Sequence, residues 1–143
     1  METNRELLER YVELYNSGDL DACMELYAGD DVQRMHDGVF EGLDAIRARL
    51  GRDLDAFPDA RYVVESFVED GGAFADEWTF TGTNTGPFRL PDGSEVPATG
   101  QPVEIRGMEL VEVRDGKIVV DNLYYDFTAA VSQLGLVPEG VAA

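Results

Sequence analysis

Apolar side chains recur along this chain with two different periods, and the change of period divides it. Leu7, Leu8, Tyr11, Val12, Leu14 and Tyr15 follow the three- and four-residue spacing of an amphipathic helix. Thr3 with Glu6 three residues later forms a capping box that starts it, and Asn16-Ser17-Gly18 ends it. Asp19 is a suitable N-cap for a short second helix running through Leu26 and Tyr27. The mixed segment Asp31 to Phe40 reads as one strand. After Gly42, the side chains of Leu43, Ile46, Leu50, Leu54 and Phe57 share a helical face, and Pro58 closes that helix. From Arg61 the period falls to two. Arg61–Glu69 predicts a strand, Asp70-Gly71-Gly72 a hairpin turn, and Ala73–Thr81 the returning strand. The stretch Thr83–Thr99, containing Pro91-Asp92-Gly93, predicts a long loop over a pocket. Val103–Val113 and Ile118–Tyr125 predict a second hairpin about Asp115-Gly116. Asp126 then caps a last helix that stops at Gly135.

Helices followed by a run of antiparallel strands specify the α+β class, with the helices against one sheet face. A strongly curved sheet covered by a long helix leaves a hollow between them. The length, 143 residues, fits one domain over residues 1–143. Composition narrows the partners. Twenty-nine acids against eleven bases give a net charge of −18, which excludes a nucleic-acid partner and disfavours an anionic membrane surface. Cys23, the single cysteine, falls among apolar helical positions and reads as a small buried side chain. The polar start METNRELLER is unlike a secretory signal, and no apolar run reaches the ~20 residues of a membrane helix, so the expectation is a cytoplasmic protein. One histidine, no cysteine pair and no glycine-rich phosphate loop leave neither metal nor cofactor to expect. What remains is acid–base chemistry on a small apolar organic ligand.

Several stretches resemble one known family. They are Tyr15-Asn16-Ser17-Gly18-Asp19-Leu20-Asp21, Leu26-Tyr27-Ala28, Gly42 through Arg47, Phe57-Pro58-Asp59, Trp78 through Pro87, and Arg114-Asp115-Gly116-Lys117-Ile118 through Tyr124-Tyr125-Asp126 to Gln133-Leu134-Gly135. Their order and spacing resemble the SnoaL-like polyketide cyclases, within the nuclear-transport-factor-like, ketosteroid-isomerase-like superfamily. The resemblance implies the cone fold, a cone-shaped barrel of strongly curved antiparallel sheet wrapped around N-terminal helices with an apolar internal pocket, no cofactor, and a homodimer through the open sheet face. It does not fix an activity, because this fold hosts many.

The resemblance also marks candidate residues, each with a purely structural alternative. Tyr11 matches the tyrosine that donates to the substrate oxygen in ketosteroid isomerases; otherwise it is a core tyrosine. His36 or Asp37 falls where those enzymes keep the general base, and strand alternation lets only one of the two face inward; otherwise both stand exposed at a strand end. Glu109, flanked by apolar residues, matches the second oxyanion-hole acid, kept protonated by an apolar site; otherwise it faces solvent. Ring cyclases of the family place an acid three residues before the Tyr-Tyr-Asp aspartate, where this chain has Leu123. Asp126 is better explained as a helix cap, and Asp121 is the one replacement on the same strand face. Tyr15, Glu65, Trp78 and Phe80 are candidate pocket walls, with Glu77 and Arg106 as lesser ones.

Three functions follow. The first is an isomerase or cyclase moving protons on a carbonyl- or enol-bearing polyketide- or terpenoid-like substrate, with His36 or Asp37 as base and Tyr11 with neutral Glu109 on the enolate. The second is a non-catalytic binding or assembly module. The third is epoxide opening, as a hydrolase or through Asp37 paired with Glu65.

Overall fold

The computed structural model describes residues 2–36, 38–90 and 92–136. Helix α1 spans Asn4–Asn16, α2 Leu20–Met24, α3 Leu43–Ala56 and α4 Phe127–Gln133. Strands are β1 Tyr27–Met35, β2 Gly38–Glu41, β3 Arg61–Asp70, β4 Ala73–Thr83, β5 Phe88–Arg89, β6 Glu95–Val96, β7 Pro102–Arg114 and β8 Lys117–Tyr125. The Thr3–Glu6 capping box is made in both directions, and Asp19 and Asp126 cap α2 and α4 through their side chains.

Three local readings change. The segment Asp31 to Phe40 is not one strand but parts of a hairpin, β1 and β2. Helix α2 stops at Met24, and Tyr27 already belongs to β1. The loop Thr83–Thr99 carries its own two-stranded ribbon, β5 with β6.

Six strands form one sheet in the order β2-β1-β8-β7-β4-β3. The sheet is strongly curved but open, with β2 and β3 as free edges, so the barrel is not closed. Nor is it wholly antiparallel: β1 runs parallel to β8. Register shifts interrupt β1–β8, β3–β4 and β7–β8, and such irregularities bend and twist a sheet.

Alternation decides which side chains face the hollow. On β4 the buried side chains are Phe74, Asp76, Trp78 and Phe80, with Gly82 continuing the row; on β8 they are Ile118, Asp121 and Leu123. Helices α1 and α3 supply Leu7, Leu8, Tyr15, Ile46 and Leu50 to the same core. Gly107 on β7 is required by a close approach. A Cβ there would overlap the Trp78 ring and lie 2.7 Å from the Tyr124 carbonyl oxygen.

Candidate active site

The hollow holds two adjoining chambers that share Arg49, Tyr62, Trp78 and Leu123 as walls. One is apolar, about 70 Å³, and walled by aromatic rings from β3, β4, β5 and β8 and by α4. The other is acidic, about 20 Å³, and lined by Tyr11, Gln33, Asp76, Glu109 and Asp121 as well.

The acidic chamber follows from strand register. Asp76 on β4 lies directly across from Glu109 on β7, and Glu109 lies across from Leu123 on β8. Asp121, two residues before Leu123, stands on the same face in the next row, between Val111 and Gln33. Directly opposed side chains on one sheet face have Cβ atoms ~5 Å apart, so this geometry gathers three carboxyls. All three are buried, at 3%, 9% and 4% exposure for Asp76, Glu109 and Asp121.

One row of hydrogen bonds sets their polarity. Arg49 Nε donates to Gln33 Oε1 at 2.6 Å, and Gln33 Nε2 donates to Asp121 Oδ2 at 3.0 Å. A guanidinium can only donate, so the Gln33 carbonyl must turn to Arg49 and its amide NH2 to Asp121. Asp121 is thereby fixed as an acceptor. Arg49 Nη1 also bonds Asp53 Oδ2 at 3.0 Å within α3. Burial works against the Arg49 charge, but Asp53 and the surrounding phenols outweigh it and its pKa is raised.

Burial, then the charges of Asp121 and Asp76, push Glu109 well above the ordinary carboxylate range. Burial pushes Asp76 up to about 6, with a hydrogen bond to Glu109 restraining the shift. Asp121 is raised by burial too, and held back by Glu109, Arg49 and Gln33. Glu109 is therefore the neutral acid of the three. It is also their shared donor. Asp76 Oδ1 and Asp121 Oδ1 are buried acceptors that no N–H or hydroxyl among the described residues serves. Glu109 is a hydrogen-bond partner of both Asp76 and Asp121, and its one proton can serve only one of them at a time. Burial pushes the Tyr11 phenol well above its usual value, so it stays a neutral donor on the chamber wall.

The expected residues fall into three groups. Tyr11, Glu109, Asp121 and Leu123 line the acidic chamber, and Trp78, Phe80 and Leu123 the apolar one. His36 does not enter the hollow. It is exposed just past the end of β1, stacked on Phe127 at 4.4 Å and edge-on to Tyr125 at 5.0 Å, beside the apolar chamber's wall. Asp37 lies outside the described residues. Glu65 faces outward, where Thr79 Oγ1 donates to it at 2.9 Å. The cause is the register shift between Val64 and Ser66: Val64 and Phe67 turn inward, leaving Glu65 and Ser66 outside. Glu65 therefore lines neither chamber. Tyr15 is fully buried but lines neither chamber; its ring packs edge-on behind Tyr62 at 4.7 Å. Glu77 and Arg106 are exposed on the outer face, Glu77 accepting from Ser66. Burial raises the Cys23 thiol to about 12, which leaves it inert at neutral pH.

The structure adds residues that the sequence reading missed. Asp76 was legible, because it alternates with Phe74, Trp78 and Phe80. Arg49 and Asp53 carry a weaker signal, a charge pair four residues apart on an otherwise apolar helix face. Gln33 had none, since the Asp31 to Phe40 segment shows no period. Among the described residues, no group of His, Cys, Asp and Glu is arranged for a metal ion.

Residues 5–134 match the family model of the SnoaL-like polyketide cyclases. The chain belongs to that family. No curated protein matches it. Among solved structures, AclR from Streptomyces galilaeus, "a putative hydroxylase", is 25% identical with a TM-score of 0.80, over 94% of this chain and 96% of that one. IdmH from Streptomyces antibioticus, "a putative polyketide cyclase", is 26% identical with a TM-score of 0.74, over 92% and 97%. A "Putative SnoaL-like polyketide cyclase" from Jannaschia sp. CCS1, 24% identical at a TM-score of 0.82 over 94% and 93%, shares the fold. Family membership supports, at a general level, a cyclase or isomerase that needs no cofactor. In this chain Leu123 lies directly opposite Glu109.

Proposed function

We propose that this SnoaL-like protein is an acid–base isomerase or cyclase acting on a small, largely apolar molecule with a carbonyl or enol group. The observation that carries the reading is a neutral acid, Glu109, held beside a fixed acceptor, Asp121, in a chamber that adjoins an aromatic-walled one. Two titratable groups whose surroundings push them apart are the requirement for removing a proton at one atom and supplying one at another.

The base is reassigned from His36 or Asp37 to Asp121. It takes a proton from the carbon next to the carbonyl. The C–H electrons form a carbon–carbon double bond and the carbonyl electrons move to oxygen, where Glu109 and the Tyr11 phenol donate. Return of the proton to a different carbon gives an isomer. Attack of the enol carbon on a second carbonyl of the same molecule gives a ring. Neither outcome consumes an oxidant or a reductant. Trp78, Phe80 and Leu123 exclude water and seat the apolar body, which strengthens each hydrogen bond.

Deuterium exchange into cyclic enone and β-diketone probes, followed by NMR, tests this. The wild-type protein should exchange the α-hydrogens faster than buffer, and Glu109→Gln and Asp121→Asn should each lose about 100-fold or more while staying folded. Binding without exchange above buffer would reduce the protein to a ligand-binding module.

A further inference from the structure

We propose that the acidic chamber seats a positively charged nitrogen, so that the substrate is an apolar molecule bearing a protonated amine or imine. The inference rests on the acid–base reading above and narrows its substrate, replacing the carbonyl by its nitrogen counterpart.

The first argument is a shortage of donors. Asp76 Oδ1 and Asp121 Oδ1 are both buried, and whichever one Glu109 serves, the other is left without a proton. An unserved buried acceptor is costly, so this wall calls for a ligand that donates. A carbonyl oxygen accepts only. An ammonium or iminium brings several N–H donors together with a charge.

The second argument is the sign of that charge. Among the described residues, Arg49 is the only cation lining either chamber, and it is already engaged by Asp53 and by the Gln33 carbonyl. Asp76 and Asp121 line the space with no ion pair among the described residues, Arg49 reaching Asp121 only through Gln33. A ligand carboxylate or phosphate would add a third anion to this wall, whereas a cation separates the two acids. The third argument is the remaining lining. Trp78 and Tyr62 stand edge-to-face at 5.0 Å and both line the acidic chamber, and indole is the side chain that holds a cation best. The fourth is size. About 20 Å³ accepts one water-sized group, which is the size of an ammonium head, while the apolar body stays in the larger chamber.

The assignment fits the same proton transfers. In a protonated imine, Asp121 takes the proton from the neighbouring carbon, the C–H electrons form a carbon–carbon double bond, and the C=N electrons settle on nitrogen. The cation becomes a neutral enamine, and reprotonation at another carbon completes an isomerisation.

Calorimetric titration of the whole protein at pH 7.5 with benzylamine, benzyl alcohol and benzoate tests the proposal by binding alone. Benzylammonium should bind about 10-fold or more tighter than benzyl alcohol, with benzoate weakest. In an Asp76→Asn, Asp121→Asn double variant the amine preference should shrink to about 3-fold or less, with benzyl alcohol still bound. Equal or weaker binding of the amine by wild type overturns the proposal. So does a preference that survives in the double variant, because the cation would then sit elsewhere. If that variant does not fold, Trp78→Leu replaces it and must lower the amine preference, and an unchanged preference again overturns the idea. Enone exchange without amine preference sinks this inference and leaves the acid–base reading standing; amine preference without exchange does the reverse.

Discussion

Three carboxyls from three strands crowd one buried wall, and their protonation ties folding to pH. Asp76 illustrates the sign. In the unfolded chain it loses its proton near the usual aspartate value; folded, it holds that proton up to about 6. Between those limits the native state binds more protons than the unfolded state, so this group's contribution is fully present at low pH and is lost as pH rises through about 6. That rise corresponds to ~3 kcal/mol at most. Glu109, raised further, acts in the same direction. Urea unfolding should therefore show greater stability near pH 5 than near pH 8. Asp76→Asn should flatten that difference by ~1–3 kcal/mol. A wild type as stable at pH 8 as at pH 5 contradicts the arrangement. At this scale the sequence was half legible. Glu109 announces itself as a carboxylate among apolar neighbours on β7. Gln33 acquires its role from two partners, Arg49 and Asp121, that lie 16 and 88 residues away.

Elements position these residues through alternation, and alternation was the most readable signal in the chain. The capping box of α1, the caps Asp19 and Asp126, and the turns at Gly71 and Gly116 all stand where local chemistry set them. What local chemistry did not show was where alternation slips. One irregularity in β3 sends Glu65 outward and Phe67 inward, and it depends on pairing with β4 rather than on β3's own residues. Gly107 marks the opposite case, an element that works only because a side chain is missing. Gly107→Ala should push Trp78 off its seat between the chambers, at a cost of ~1–3 kcal/mol, because β7 and the ring cannot both hold their places. Trp78 fluorescence should shift with it. An unshifted spectrum and wild-type stability would show that the ring has room to move.

On the scale of the molecule, the outer sheet face matters. Met108 and Tyr124 lie directly across from each other on β7 and β8, 44% and 60% exposed, and Leu110 and Val63 are exposed on the same side. On a chain of net charge −18, such apolar side chains are the natural place for a second copy to cover. We expect a homodimer by light scattering after size exclusion, and a monomer for Met108→Glu with Leu110→Lys. A monomeric wild type would leave this face without that role. No described helix is long and apolar enough to cross a membrane.

The parallel pairing of β1 with β8 has a consequence for how the chain is made. The two strands are neighbours in the sheet, yet Gln33 meets an aspartate 88 residues further along. Contacts of such separation are slow to form, because a long loop must close first. During synthesis β1 waits, with β2 on one side and nothing on the other, until β8 has emerged. The bond that fixes Asp121 as an acceptor therefore belongs to the last stage of assembly, and a chain ending before β8 lacks both the strand that covers β1 and Asp121 itself.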